Sequence, residues 1–329
     1  MLSIRENFLE TIRNGHPDRF VKQFEYMARI YDPIAEDCSS SCKRGTTRVN
    51  AWGVTITWPE QIPGPMPIHD DEHIALKDIT RWKETLRKPD PTIYTEEQWR
   101  PVLDAVAAVD RTQKFVSYGV GPGILEQIIN LMSMTEAMIA FLEEPEAMHE
   151  LVDFLTDWEI ACGNEVLRHY QPELLFHHDD WGSQRSLFLS PKVFEEFLLP
   201  AYKKIYGFWK QNGVQVIVHH SDSYAAELVP YMIEMGVDVF QGGVSENNIP
   251  KLIKQYGSQI AFHTGLDNGK FDVEHFSEDA IREELERLIE LGGKEHLIPG
   301  LTMGGIGSCF PGVYETVDHV IDELSKKYF

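Results

Sequence analysis

The sequence predicts a single α/β domain, residues 1–329, folded as a (β/α)8 TIM barrel with an N-terminal helical and irregular extension. Three observations carry that expectation. From about residue 95, short apolar segments alternate with amphipathic helices. Each helix closes on glycine or Asn-Gly, the pattern of βαβ units feeding a parallel sheet. No glycine-rich dinucleotide fingerprint follows the first strand, which disfavours an open doubly wound sheet.

SIRENFLETIRNG reads as an N-capped amphipathic helix stopped by Gly15. RFVKQFEYM follows with strand-like alternation, which puts Phe20, Gln23, Phe24, Glu25 and Tyr26 near a strand exit. Residues 37–79 are rich in Ser, Pro and Gly, with Trp52 and Trp58 among short β-prone pieces. A long irregular segment is either functional or disordered; two tryptophans argue for order, and we expect it to cover the barrel top. Helix TEEQWRPVLDAVAAV then precedes strand KFVSYG, and a helical block over residues 122–169 precedes ELLFHHDD. PKVFEEFLLPAYKKIYGFWKQNG leads to VQVIVHHSD, AAELVPYMIEMG to VDVFQGG, NIPKLIKQYG to QIAFHTG, and SEDAIREELERLIELGG to HLIPGLT, before a last helix VYETVDHVIDELSKKY. Seven strands are countable. The eighth lies in the irregular region or is merged with a neighbour.

The chain carries 30 Lys and Arg against 52 Asp and Glu, a net charge of −22. A surface so acidic disfavours nucleic acid and anionic membrane. It disfavours a multiply anionic substrate too, since no basic cluster is legible. The cysteines, Cys38, Cys42, Cys162 and Cys309, form no CxxC pair. With no signal peptide and no apolar run near the ~20 residues of a membrane span, the expectation is a cytoplasmic protein with reduced thiols. Cys38 and Cys42 would be half a metal site only if a second pair followed. Loop cysteines are the plainer reading.

In a barrel the C-terminal ends of the strands share one rim, where active sites sit. Those ends hold Glu25 and Tyr26; Ser117 and Tyr118; His177, His178, Asp179 and Asp180; His219, His220, Ser221 and Asp222; Gln241; His263 and Asp267; Thr302 and Met303. Five of the 13 histidines fall on three of these ends. One or two as core residues would be ordinary; five at one edge call for a site. Two chemistries suit it, and the residues leave both open. Imidazoles with Cys309 and a carboxylate would hold a metal, or a carboxylate–histidine set would work as acid and base without one.

The runs HDDWGSQRSLFLSPKVFEEFLLPAYKKIYGFWKQNG, VIVHHSDSYAAELVPYMIEMGVDVFQ and GLTMGGIGSCFPGVYETVDHVIDEL, preceded by DDEHIALKDITRWKETLRKPD, carry a resemblance. They resemble the uroporphyrinogen decarboxylase superfamily in its corrinoid-dependent methyltransferase branch. The resemblance runs from about residue 70 to the end and implies the same barrel. The decarboxylase itself is less similar. Its arginine-rich motif, which grips substrate carboxylates, would align with DRFVKQFEYMARIYDP, where Phe24, Glu25 and Tyr26 stand and no pair of arginines does.

The branch implies methyl transfer to the cobalt(I) of a corrinoid (cobalamin), usually held by a separate small protein. Its thiol-dependent members hold zinc on a His-x-Cys motif plus a distant cysteine. The matching positions are His219, Ser221 and Cys309, so a serine replaces the middle thiolate and is a poorer ligand. His220, His263, Asp222 or a water would then complete a different site, or the metal is gone. Members that demethylate aromatic methyl ethers are most similar in the DDWGSQ and HHSDS stretches. That similarity implies O-demethylation of a guaiacol- or veratrole-like ether. Asp179, Asp180, His178, His219 and His220 are the candidate donors of a proton to the phenolate leaving group. Phe24, Glu25, Tyr26, Trp52, Trp58, Tyr118, Trp181 and His263 are the candidate substrate contacts, the aromatic ones forming a flat slot. A zinc enzyme for a small methanol-, amine- or thiol-type donor stays open, as does a barrel that binds a corrinoid without chemistry. The partners implied are a corrinoid protein and, from the family, a second copy of the chain as a homodimer.

Overall fold

The computed structural model describes residues 1–62, 64–304 and 308–329. Pro63 of the EQIPGPMP stretch and residues 305–307 of the GGIGSCFPG stretch lie outside the described residues. Ser3 opens the first helix, Ile4–Leu9: its Oγ accepts from the Glu6 amide at 3.1 Å, and the Glu6 carboxylate accepts from the Ser3 amide at 2.9 Å. A wider turn, Glu10–Asn14, continues it to Gly15, whose φ of +74° ends the element. Phe8 and Ile12 of this segment pack against the inward side chains of the barrel strands and close its floor.

Among the described residues, seven parallel strands form the main sheet: β1 (Met27–Ile30), β5 (Phe115–Val120), β6 (Leu174–His178), β7 (Val216–His220), β8 (Val239–Gln241), β9 (Ala261–Leu266) and β10 (Leu297–Leu301). Their spatial order follows chain order, and helices cover the outside. The expected barrel is present with seven strands rather than eight. Between β10 and β1 the Gln23 side chain accepts from the Leu301 amide at 3.2 Å, a side-chain bond where an eighth strand would supply backbone ones. The remaining strands, β2 (Thr47–Val49), β3 (Thr55–Thr57) and β4 (Met66–Pro67), form a small antiparallel sheet inside the stretch read as irregular. Trp52, Val54 and Ile56 join it to the hydrophobic layer around the barrel.

RFVKQFEYM is a strand only at its last residue. Gln23–Tyr26 is a 3-10 turn, fixed by the Glu25 carboxylate accepting from the Lys22 amide at 2.9 Å. Phe24, Glu25 and Tyr26 therefore precede β1 instead of standing at its exit. The block 122–169 divides into helices Ile124–Met132, Met134–Glu143 and Pro145–His169, the first break falling at Ser133 with φ +82°. No single helix among the described residues is long and apolar enough to cross a membrane.

The strands are apolar on both faces, as a sheet covered by helices requires. Leu174, Val216, Val218, Val239, Ala261 and Ile298 fill the interior. Leu175, Ile217, Phe240, Phe262 and Leu297 pack outward beneath the helices. This period of two decides which of the rim histidines can meet.

Candidate active site

The pleat splits each histidine doublet. His177 pairs with His219 and His178 with His220 across β6 and β7. The first pair points outward. His177 Nε2 lies 3.2 Å from the Glu159 carboxylate, and His219 Nδ1 lies 2.8 Å from the Tyr206 hydroxyl. The other His219 nitrogen faces the Asp179 carbonyl at 3.2 Å, and Trp181 stacks on the ring at 3.8 Å. Burial holds the His219 pKa well below its usual value. With both nitrogens engaged behind the sheet, His219 is not the metal ligand that the His-x-Cys alignment implies.

The second pair points inward at the top of the barrel, ring centroids 4.3 Å apart. The same cross-strand row continues through Gln241 of β8 to His263 of β9. Asp180 follows β6, its Oδ2 3.8 Å from His178 Nε2 and its Oδ1 accepting from the Asp222 amide at 2.9 Å. Glu126 approaches the same imidazole nitrogen at 3.6 Å from the first turn of helix Ile124–Met132.

Asp179 is set apart from this group. Its carboxylate accepts from the Leu125 and Glu126 amides at 2.9 and 2.8 Å, from Trp181 Nε1 at 3.3 Å, and from the Tyr202 hydroxyl. It thus caps a helix whose own N-cap is Gly123. A Cβ at Gly123 would stand 2.6 Å from Asp179 Cβ and 2.7 Å from His177 Cε1, so only glycine lets the helix start there. Burial pushes the Asp179 pKa up to about 6 against these donors. Four donors on a buried carboxylate leave it no approach to a substrate, which corrects its reading as a proton donor.

The environments of the inward groups push their protonation apart. Burial works against charge on His178, but Glu126 and Asp180 outweigh it and raise the pKa to about 10. Burial, then the charge on His178, lower His220 to about 4. Burial raises the Asp180 carboxyl, yet His178 and His220 hold it below the usual carboxylate range. Burial and the Asp180 charge together push Asp222 up to about 7, and burial raises Glu126 well above its usual range. At neutral pH the centre is an imidazolium, His178, against a carboxylate, Asp180, with a neutral His220 beside them.

Gln241 fixes which nitrogen of His220 is free. Its amide nitrogen donates to the Thr302 carbonyl at 3.0 Å, which leaves its carbonyl oxygen to accept from His220 Nδ1. The proton therefore sits on Nδ1, and Nε2 keeps its lone pair. One donor atom from each of His178, Asp180 and His220 lies within 4.8 Å of the others, a set that would accept a divalent ion such as zinc. The His219, Ser221 and Cys309 set does not fit one. Ser221 is buried, its oxygen accepting from the Trp181 amide at 3.2 Å and lying 2.7 Å from Ser223 Oγ. Cys309 sits in the loop after β10 beside Gly304.

A cleft of about 880 Å³ opens beside His178, walled by Ser39, Cys42, Lys43 and Arg48 of the extension and by Arg29, Gly119, Val120 and Phe176 of the strand ends. That volume suits a small organic ligand. Phe24 is not part of the wall but packs against it, edge-on to Phe176 and 4.8 Å from the His263 ring. Other expected contacts lie elsewhere. Tyr26 is buried in the barrel floor, stacked on Phe8, with its hydroxyl 3.2 Å from His263 Nδ1. Glu25 caps the turn before β1. Trp52 packs on Phe154 and Trp158, Tyr118 faces outward onto Trp209, and Trp181 lies buried between His219 and Phe194. Arg29, Glu126, Phe176 and Gln241 take the places by the site that the sequence reading gave to these residues or left empty. Gln241 alone stood among the strand ends read from the sequence, without a role.

The chain matches the family model described as "Uroporphyrinogen decarboxylase (URO-D)" over residues 46–304. Among solved structures it is similar to a "methyltransferase from Methanosarcina mazei", with a TM-score of 0.68, 16% identity, and coverage of 98% of this chain and 99% of that one. No curated protein matches it in sequence. The likeness to the methyltransferase is one of fold, while the family match spans most of the chain. The protein belongs to the uroporphyrinogen decarboxylase (URO-D) family.

Proposed function

We propose that the protein transfers a methyl group from an aromatic methyl ether to the cobalt(I) of a corrinoid carried by a partner protein. The observation that carries this reading is the meeting of His178, Asp180 and His220 at the edge of the cleft. An acid beside its counter-charge at the cleft wall supports protonation of a leaving oxygen. The fold shared with a methyltransferase supports it.

The corrinoid enters as a second substrate and supplies the electron pair that takes the methyl carbon. The carbon–oxygen bond breaks, its electrons stay on the phenolic oxygen, and the Nε2 proton of His178 passes to that oxygen. Asp180 faces the imidazolium as its counter-charge before the transfer, and Glu126 lies 3.6 Å from the same nitrogen. Such assistance is worth about 10²–10⁴-fold. Phe176, backed by Phe24, offers the ring an apolar wall, and residues 39–48 of the 37–79 segment wall the cleft opposite it. Mixed anaerobically with cob(I)alamin and guaiacol or veratrole, the protein should discharge the cobalt(I) absorbance. Conversion with methanol or methylamines and not with ethers would overturn the reading.

The clustering of donor atoms favours a second reading, in which His178, Asp180 and His220 hold a zinc-like ion. Such an ion would polarise the oxygen as a Lewis acid. Dialysis against a chelator separates the two: transfer survives under the first and is lost under the second.

A further inference from the structure

We infer that the arene rests against the bare backbone of β5 at Gly119, a residue that sets how large a group the cleft admits beside His178; this rests on the aryl ether reading above and gives the ring its seat. Side chains of a strand alternate between its two faces. In β5, Phe115 packs into the barrel interior and Val116 and Tyr118 pack outward beneath the helices. Ser117, on the inner face, lines the cleft. The next two positions on that face are Gly119 and Gly121, and both border the cleft. The top of the inner face of this strand therefore carries no side chain.

The neighbouring strand sets its functional residues at the same height. Gly119 is level with Phe176 in the register of β5 and β6. Gly121 follows beside His178, whose Cβ lies 3.4 Å from where a Cβ on residue 121 would stand. Phe176 is the apolar wall of the proposed transfer and His178 its acid. Bare peptide thus adjoins both the group that holds the ring and the group that protonates its oxygen.

Nothing in the protein's own packing asks for glycine at position 119. Its φ lies outside the left-handed region, and an added Cβ would meet no atom within 4 Å. The other glycines within the strands of the main sheet are accounted for by crowding. A Cβ at Gly265 would stand 2.6 Å from Leu288 Cδ2, and one at Gly300 would stand 2.9 Å from Gln23 Cγ. Glycine inside a strand weakens it, through backbone entropy and the contacts a side chain would have made. Where neither conformation nor crowding requires it, close approach of a ligand does. Gly119 is such a position, and the side it leaves empty opens on the cleft next to Phe176. A planar ring can lay its face on bare peptide there while its edge meets the Phe176 ring.

The test pairs stability with binding in Gly119→Ala and Gly119→Val, using the full chain without corrinoid. Both substitutions suit an extended strand, so thermal unfolding midpoints should stay level or rise by about 1–2 °C. Calorimetric titration with guaiacol should show affinity falling about tenfold in Gly119→Ala and about 100-fold in Gly119→Val, as added methyl groups occupy the ring's place. A lowered midpoint in Gly119→Ala would return the glycine to a packing role. Unaltered guaiacol affinity in a stable Gly119→Val, or no guaiacol binding to the unaltered protein, would likewise overturn the inference. Following cob(I)alamin absorbance with guaiacol on the same samples separates the claims. Binding that depends on residue 119 without methyl transfer in the unaltered protein keeps the ring's seat and sinks the ether reading. Transfer that proceeds in Gly119→Val with an unchanged KM does the reverse.

Discussion

At Asp179 four donors converge on one buried carboxylate, while Asp180 directs an oxygen toward His178 and accepts from a single amide. The two aspartates should therefore respond differently to substitution. Asp180→Asn keeps the shape and removes the charge that holds the imidazolium. Methyl transfer should fall about 10²-fold while substrate affinity changes little, as rates and titrations on one preparation would reveal; unchanged turnover removes Asp180 from the mechanism. Gln241→Leu frees His220 to take the other tautomer and should cost about tenfold or more in rate at unaltered folding. Loss of folding in place of rate would return Gln241 to a packing role. The crowding of titratable residues at the ends of LLFHHDD and VIVHHSD was legible because apolar strands stop there. Which histidine of each doublet faces inward was not. Adjacent residues in a strand take opposite faces, and one register contact is needed to say which. Glu126 was hidden because it reads as an ordinary charge in a first helical turn, and only tertiary structure brings it to His178.

Elements position these groups. Helix Ile124–Met132 begins where β6 ends, and Asp179 and Gly123 make that junction. Asp179→Ala would strip the cap and strand the Tyr202 hydroxyl. We expect a loss on the order of 2–3 kcal/mol in urea unfolding, with Glu126 displaced and activity reduced through position. A loss of rate without any loss of stability would contradict the capping role. The first strand shows where sequence reading failed. The aromatic alternation of RFVKQFEYM suggested a strand ending at Tyr26, but a 3-10 turn occupies Gln23–Tyr26 and the strand starts at Met27. That shift moved the rim residue from Glu25 to Arg29. That only seven strands join the main sheet among the described residues has a related cause. Gln23, just before β1, reaches across to Leu301 and fills the seam with a side chain, which no periodicity encodes.

Across the whole molecule, the barrel, its helices and its chain order followed from alternating apolar strands and amphipathic helices, because burial imposes those periods. The interior also sets a pH limit. His263 is fully buried, and burial, then His220, lower its pKa to about 3. The unfolded chain binds a proton near pH 6.5 that the folded one refuses, so stability is complete above that pH and falls on acidification toward pH 3. At pH 5 the loss from this residue is on the order of 2 kcal/mol. Unfolding midpoints at pH 7.5 and pH 5 should therefore differ less in His263→Gln than in the unaltered protein; an identical difference would show that another group sets the slope. The central claim, that an imidazolium at the barrel top assists departure of an aryl oxide, has its own direct measurement. Rates of methyl transfer to cob(I)alamin would be compared across anisoles whose phenols range from strongly to weakly acidic. With His178 intact the rate should depend shallowly on leaving-group acidity, and in His178→Gln it should depend steeply. Equal steepness in both proteins, or no transfer from any anisole, would contradict it.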